Sequence, residues 1–63
     1  MNVLEKENGN FKIEISEEEL CGLANALNEV CNGIDHFEFH SRMGVSEAFI
    51  NNLVDQIQAA LKH

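Results

Sequence analysis

Cys21, Cys31, His36 and His40 form a loose set with the chemistry to ligate a metal or act as a nucleophile pair. Their spacing limits what they can do together. Cys21 and Cys31 fall on one predicted helix, ten residues apart, which separates them by roughly 15 Å at the rise of an α-helix. A disulfide needs Cα atoms within about 7 Å, so these two thiols share neither a bridge nor a metal. Zinc fingers place their cysteines about two to four residues apart. Cys31, His36 and His40 can still meet beside a carboxylate such as Asp35, so a small metal- or redox-responsive module is one reading. The other is two buried thiols in an apolar stripe, where free cysteine commonly sits, with exposed histidines. A Cys-His nucleophile pair lacks a glycine loop for an oxyanion and a third orienting residue. A chain of 63 residues also offers little room for an enclosed cleft. We therefore expect no enzyme and assign no catalytic residue, no cofactor and no metal. The trio Glu17, Glu18 and Glu19 is most simply helix capping.

Charge points to a partner class. Eleven acids stand against four bases, a formal net charge of -7. The imbalance is concentrated early, where Glu5, Glu7, Glu14, Glu17, Glu18, Glu19 and Glu29 face only Lys6 and Lys12. Nucleic-acid binding depends on cations that neutralise phosphates, so this chain is expected to bind no nucleic acid directly. An anionic membrane surface is disfavoured by the same sign. A basic protein partner is favoured, because opposite charges steer association. Acidity also serves solubility by itself. No run approaches the ~18 apolar residues of a membrane span. Met1 to Glu7 shows no basic region followed by an apolar stretch, so no signal peptide is expected and the cytoplasm is the expected compartment.

The elements that must position these groups are legible from pattern. Phe11-Lys12-Ile13-Glu14-Ile15 alternates as a half-buried strand does. Asn8-Gly9 ahead of it is a strong type I′ turn signal, predicting a hairpin over 2–15. A two-residue loop sets Leu4 opposite Ile13 and Lys6 opposite Phe11 on one face, with Glu5 opposite Lys12 on the other. A lone hairpin is unstable, so its apolar face is expected to pack on helices. Ser16 with Glu19 forms a capping box that opens a helix over 17–32. Its apolar stripe is Leu20, Leu23, Ala24, Leu27, Val30 and Cys31. Asn32-Gly33 is the expected stop, with Gly33 left-handed. Ser46 caps a second helix over 47–62, whose buried face is Phe49, Ile50, Leu53, Val54, Ile57, Ala60 and Leu61.

Between them, His36 to His40 alternates like a strand, yet Asp35 with Glu38 also reads as a capping box and Gly44 as a stop. A short helix over 36–43 is the preferred reading. At helical spacing Phe37 and Phe39 point about 200° apart, so one core cannot take both rings. An irregular segment would bury both. The expected whole is one domain over 1–63, an α+β fold of ββααα order in two layers.

Phe39 to Ser46, followed by Ile50, Leu53 and Val54, resembles a helix-turn-helix in its Gly-apolar-Ser turn. The resemblance spans about a quarter of the chain. It departs at His40, where that motif has a small residue, and in the outward Glu47, Asn51, Asn52 and Asp55, with no base until Lys62. DNA readers surround their groove contacts with phosphate-binding cations. A degenerate helix-turn-helix implies dimerisation or regulatory protein contacts instead. Asn28 to Gly33 and Glu38 to Gly44 also resemble segments of small bacterial proteins, without pointing to a named family.

The leading expectation is a small acidic protein-binding domain. It would inhibit or neutralise a basic nucleic-acid-handling protein, in the manner of immunity proteins, antitoxins or phage inhibitors. Glu17, Glu18, Asp35, Phe37, Glu38 and Glu47 are its expected partner-binding residues. A chain this short buries only about 60% of its unfolded surface. A homodimer through the helices, with Phe49, Leu53 and Gln56 on a second face, is therefore also expected.

Overall fold

Asn8 and Gly9 turn the chain back on itself. Both adopt positive φ, 51° and 81°, as a type I′ turn demands and as asparagine and glycine tolerate best. The computed structural model describes residues 1–63. Strands β1 (Asn2–Glu7) and β2 (Asn10–Glu14) pair antiparallel across that turn. Helix α1 (Glu17–Gly33), a 3₁₀ turn (His36–Glu38), helix α2 (Phe39–Met43) and helix α3 (Glu47–Leu61) follow. This is the expected α+β order of a hairpin and three helices.

The hairpin register differs from expectation at one place. Glu5 faces Lys12 and Lys6 faces Phe11, but Val3, not Leu4, faces Ile13. Leu4 is an extra residue on β1, a β-bulge between Val3 and Glu5. The bulge lets both halves of the hairpin keep their face: Val3, Lys6, Phe11 and Ile13 lie on one side, and Asn2, Glu5, Glu7, Asn10, Lys12 and Glu14 on the other. Lys6 sets its ammonium 5.3 Å from the centre of the Phe11 ring, and Lys12 reaches Glu5 at 3.6 Å.

The helix ends follow local chemistry. The Ser16 hydroxyl accepts from the Glu19 N–H at 3.1 Å, and the Glu19 carboxylate accepts from the Ser16 N–H at 3.0 Å. Ser16 itself is extended, with φ -73° and ψ 159°. At the other end the expected left-handed stop at Gly33 does not form. Gly33 remains helical, and Ile34 closes α1 in extended backbone with its N–H on the Val30 carbonyl at 3.1 Å. Gly44 supplies the left-handed stop for α2, with φ 76°. Ser46 caps α3 through the Phe49 N–H at 3.1 Å. The segment 36–43 is helical throughout, its first turn tightened to 3₁₀.

Burial is confined to the helical part. Helices α1 and α3 pack on one another, and the fully buried residues are Ala24 of α1, Phe39 of α2 and Ile50 of α3. Phe39 is the largest side chain that is fully buried. Leu20, Leu27, Val30, Leu53, Val54, Ile57 and Leu61 are half-buried around that centre. Leu23 and Phe49 of the expected stripes are exposed, as is Ala60, because each lies on the margin of an arc wider than one neighbouring helix covers. Cys21 is exposed and Cys31 half-buried, so the pair of buried thiols does not form.

The hairpin does not pack on the helices as expected. Every residue of β1 and β2 is exposed, and its contacts to the helices are sparse. Only Ile15, at the junction, is half-buried. The reason lies in the connection. Two residues, Ile15 and Ser16, link β2 to α1, and the second is fixed in extended backbone as the cap. The extended cap sets the direction in which the hairpin leaves α1, and the α1 stripe is already covered by α3. The Met1 ammonium instead ties the start of the hairpin to Glu19 at 2.7 Å. The molecule measures 36 × 28 × 16 Å with a radius of gyration of 13.0 Å, against about 11 Å for a close-packed domain of this length.

Candidate functional site

Between α1 and α3 the chain makes a tight corner that presents one aromatic ring to solvent. Asp35 starts it: its Oδ1 accepts from the Phe37 N–H at 2.9 Å, and its carbonyl accepts from the Glu38 N–H at 2.9 Å. That turn fixes the two phenylalanines in opposite directions. Phe39 enters the core at 1% exposure, and Phe37 projects at 93%. A ring so exposed gains nothing from folding, so its placement is a consequence of the corner and not a packing requirement.

Ionisable side chains share that corner. Nδ1 of His36 lies 2.9 Å from Oε1 of Glu47, which bridges the corner to the first turn of α3. The His36 imidazole meets Phe37 edge-on, with ring centres 5.9 Å apart. Glu38 reaches Arg42 one turn along, at 3.5 Å between Oε2 and Nε. Asp35, Glu38 and Glu47 thus supply three carboxylates near Phe37, with Arg42 the facing permanent cation. An aromatic face with carboxylates beside it suits a guanidinium or ammonium, through cation–π attraction and charge-assisted hydrogen bonds.

Of the six residues expected to bind a partner, Asp35, Phe37, Glu38 and Glu47 come together here. Glu17 and Glu18 do not. They stand at the opposite end of α1, roughly 25 Å away along the helix axis. There they line an open depression with Ser16, Cys21 and Gly22. His36 and Arg42 complete the corner and are not among the six residues expected to bind a partner. The spacing of Glu38 and Arg42, four apart on a helix, is the available signal for Arg42. The bond from His36 to Glu47 spans eleven residues and has no local signal.

The remaining candidates are dispersed. Both cysteines are free, and the nearest polar partner of Cys21 is the Asn25 amide at 3.9 Å. Cys31, His36, His40 and the acids do not converge into any group of three that could hold a metal ion. In the stretch resembling a helix-turn-helix, α2 is only five residues long, and α3 carries no Lys or Arg between Glu47 and Leu61. A second hollow lies on the polar face of the hairpin, lined by Glu5, Glu7, Asn8, Asn10 and Lys12. No helix is long and apolar enough to cross a membrane.

The Glu19 carboxyl is held well below its ordinary value. The Met1 ammonium, then the Ser16 N–H and hydroxyl, bring it from 4.5 down to about 2. It serves as the link between hairpin and α1 and is not part of the corner.

Comparison with protein-family models, curated protein sequences and solved structures gives no match.

Proposed function

We propose that this chain is a non-enzymatic protein-binding domain that engages a basic partner through the Phe37 corner. The observation that carries this reading is a 93% exposed phenylalanine flanked by Asp35, Glu38 and Glu47 in a chain of net charge -7. Exposed aromatics within a polar rim are the residues on which interfaces most often depend. The acidic surroundings supply long-range attraction, and the ring supplies the contact. The partner class that fits is a protein whose binding surface presents Arg or Lys, as nucleic-acid-handling proteins do. By occupying that surface the chain would compete with phosphate and act as an inhibitor or neutraliser in the cytoplasm. The bond from the Phe37 N–H to Asp35 favours the reading, since a backbone already ordered at the contact loses less freedom on binding.

Affinity capture on the immobilised chain at low and high salt tests this, with Phe37→Ala and Glu38→Lys variants in parallel. The native chain should retain a basic nucleic-acid-handling protein at low salt and release it as salt screens the attraction. Both variants should lose most of that retention while keeping the native circular dichroism spectrum. A captured protein that is acidic, or one that both variants hold as well as the native chain, would remove the corner from consideration.

A further inference from the structure

We propose that a second copy of this chain seats on the apolar face of the β1–β2 hairpin, the two hairpins packing face to face as a dimer. The inference is independent of the Phe37 corner and rests on area, charge and the needs of a two-stranded sheet.

The area comes first. A folded monomer of this mass, 7.1 kDa, is expected to expose roughly 4,100 Å². The chain exposes 5121 Å². The excess is roughly 1,000 Å², close to the ~800 Å² that each partner contributes to a stable interface. Part of the exposed apolar surface is gathered on one face of the hairpin. On that face Val3 is 61% exposed, Phe11 58% and Ile13 45%.

Charge then selects the occupant. The pleat sorts the hairpin into two unlike faces. Glu5, Glu7 and Glu14 all lie on the polar side with Lys12, and the apolar side carries no acid. Its single charge is Lys6, drawn over the Phe11 ring. A basic partner finds no carboxylate there, so the chemistry favoured at the corner is disfavoured on this face. A second copy needs no complementary charge, because a two-fold contact matches a surface to itself. It also supplies what a hairpin lacks, since two strands alone are not stable without a covering layer. Two such faces stacked at about 10 Å form the layer pair of a sandwich. The acids of both copies remain outside it.

Sedimentation equilibrium from micromolar to millimolar concentration, at low and moderate salt, tests the dimer. Native chain, Phe11→Asp, Ile13→Asp and Asn10→Asp are compared, the last adding the same charge to the polar face. We expect a native dimer that tightens with salt, as the repulsion between two copies of charge -7 is screened. Asn10→Asp should still dimerise. Phe11→Asp and Ile13→Asp should weaken association by roughly a hundredfold or more, because symmetry applies each change twice. A sample mixing labelled and unlabelled native chain probes the same interface without substitution, and should show intermolecular contacts of the Phe11 ring with Val3 and Ile13 methyls. A native chain that stays monomeric throughout overturns the proposal. So does a dimer that both apolar-face variants hold as tightly as the native chain, or one without those intermolecular contacts.

Discussion

The helical part and the hairpin obey the same pairing and capping rules, yet only one of them has an interior. Ala24, Phe39 and Ile50, the fully buried residues, belong to α1, α2 and α3. The hairpin has a well-formed turn, a charge pair and a sorted apolar face, and no buried residue. Local rules can thus specify an element without giving it a core. The helices face one another, whereas the hairpin leaves its apolar side free. The same contrast recurs between the two exposed aromatic surfaces. Phe37 stands among carboxylates and suits a cation; Phe11 stands on an acid-free face and suits another apolar surface. Salt should therefore weaken the first contact and strengthen the second.

The largest effect expected from this contrast concerns stability. Phe39→Ala removes the ring at the centre of the helical core and should cost about 3–5 kcal/mol, enough to unfold much of a domain this small. Phe11→Ala, at concentrations where the chain is monomeric, should change stability by about 1 kcal/mol or less, since it removes little beyond an exposed ring and its contact with Lys6. Thermal unfolding of both variants checks the pair. Equal losses would mean that the hairpin shares the helical core.

A smaller effect should be local. Gly9→Val forces a β-branched residue into positive φ and should destabilise the turn by roughly 1 kcal/mol or more. Amide exchange in β1 and β2 should quicken, while protection in α1 and α3 stays near native. If the helices lose protection to the same degree, the two parts unfold as one unit.

The smallest effect involves the link between them. The folded Glu19 carboxyl titrates at about 2, below its ordinary 4.5. A lowered carboxyl contributes stability that is present above its unfolded value and lost as pH falls through its folded one. The difference in melting temperature between native chain and Glu19→Gln should accordingly be full above pH 4.5 and shrink towards pH 2. A difference that does not change over that window would show that Glu19 acts by capping geometry alone.

Nearly all of the element plan is legible in the sequence, because it depends on neighbours a few residues apart. Asn8-Gly9, the Ser16–Glu19 box, Ser46 and Gly44 each act within one turn of chain. The Leu4 bulge is not legible. An uninterrupted register and a bulged one satisfy the same alternation, and only the pairing itself distinguishes them. Gly33 reads locally as a left-handed stop, but a glycine near a helix end can remain helical when another residue, here Ile34, closes the last turn. At the candidate site, the acids and the two phenylalanines are visible as a cluster in sequence. Which ring projects is not, because that depends on the pitch of one tight turn.

Order of elements, caps and turns, the segregation of polar from apolar residues and the net charge of -7 are all written in the chain's local chemistry. These follow from short-range sterics, hydrogen bonding and composition. Tertiary structure alone decided that α3 and not the hairpin covers α1, that Phe39 is buried while Phe37 projects, and that His36 reaches Glu47 while Glu17 and Glu18 lie at the far end of α1. The physical reason is competition for one surface. A two-residue link holds the hairpin away from a helical stripe that α3, returning through the Phe37 corner, can cover.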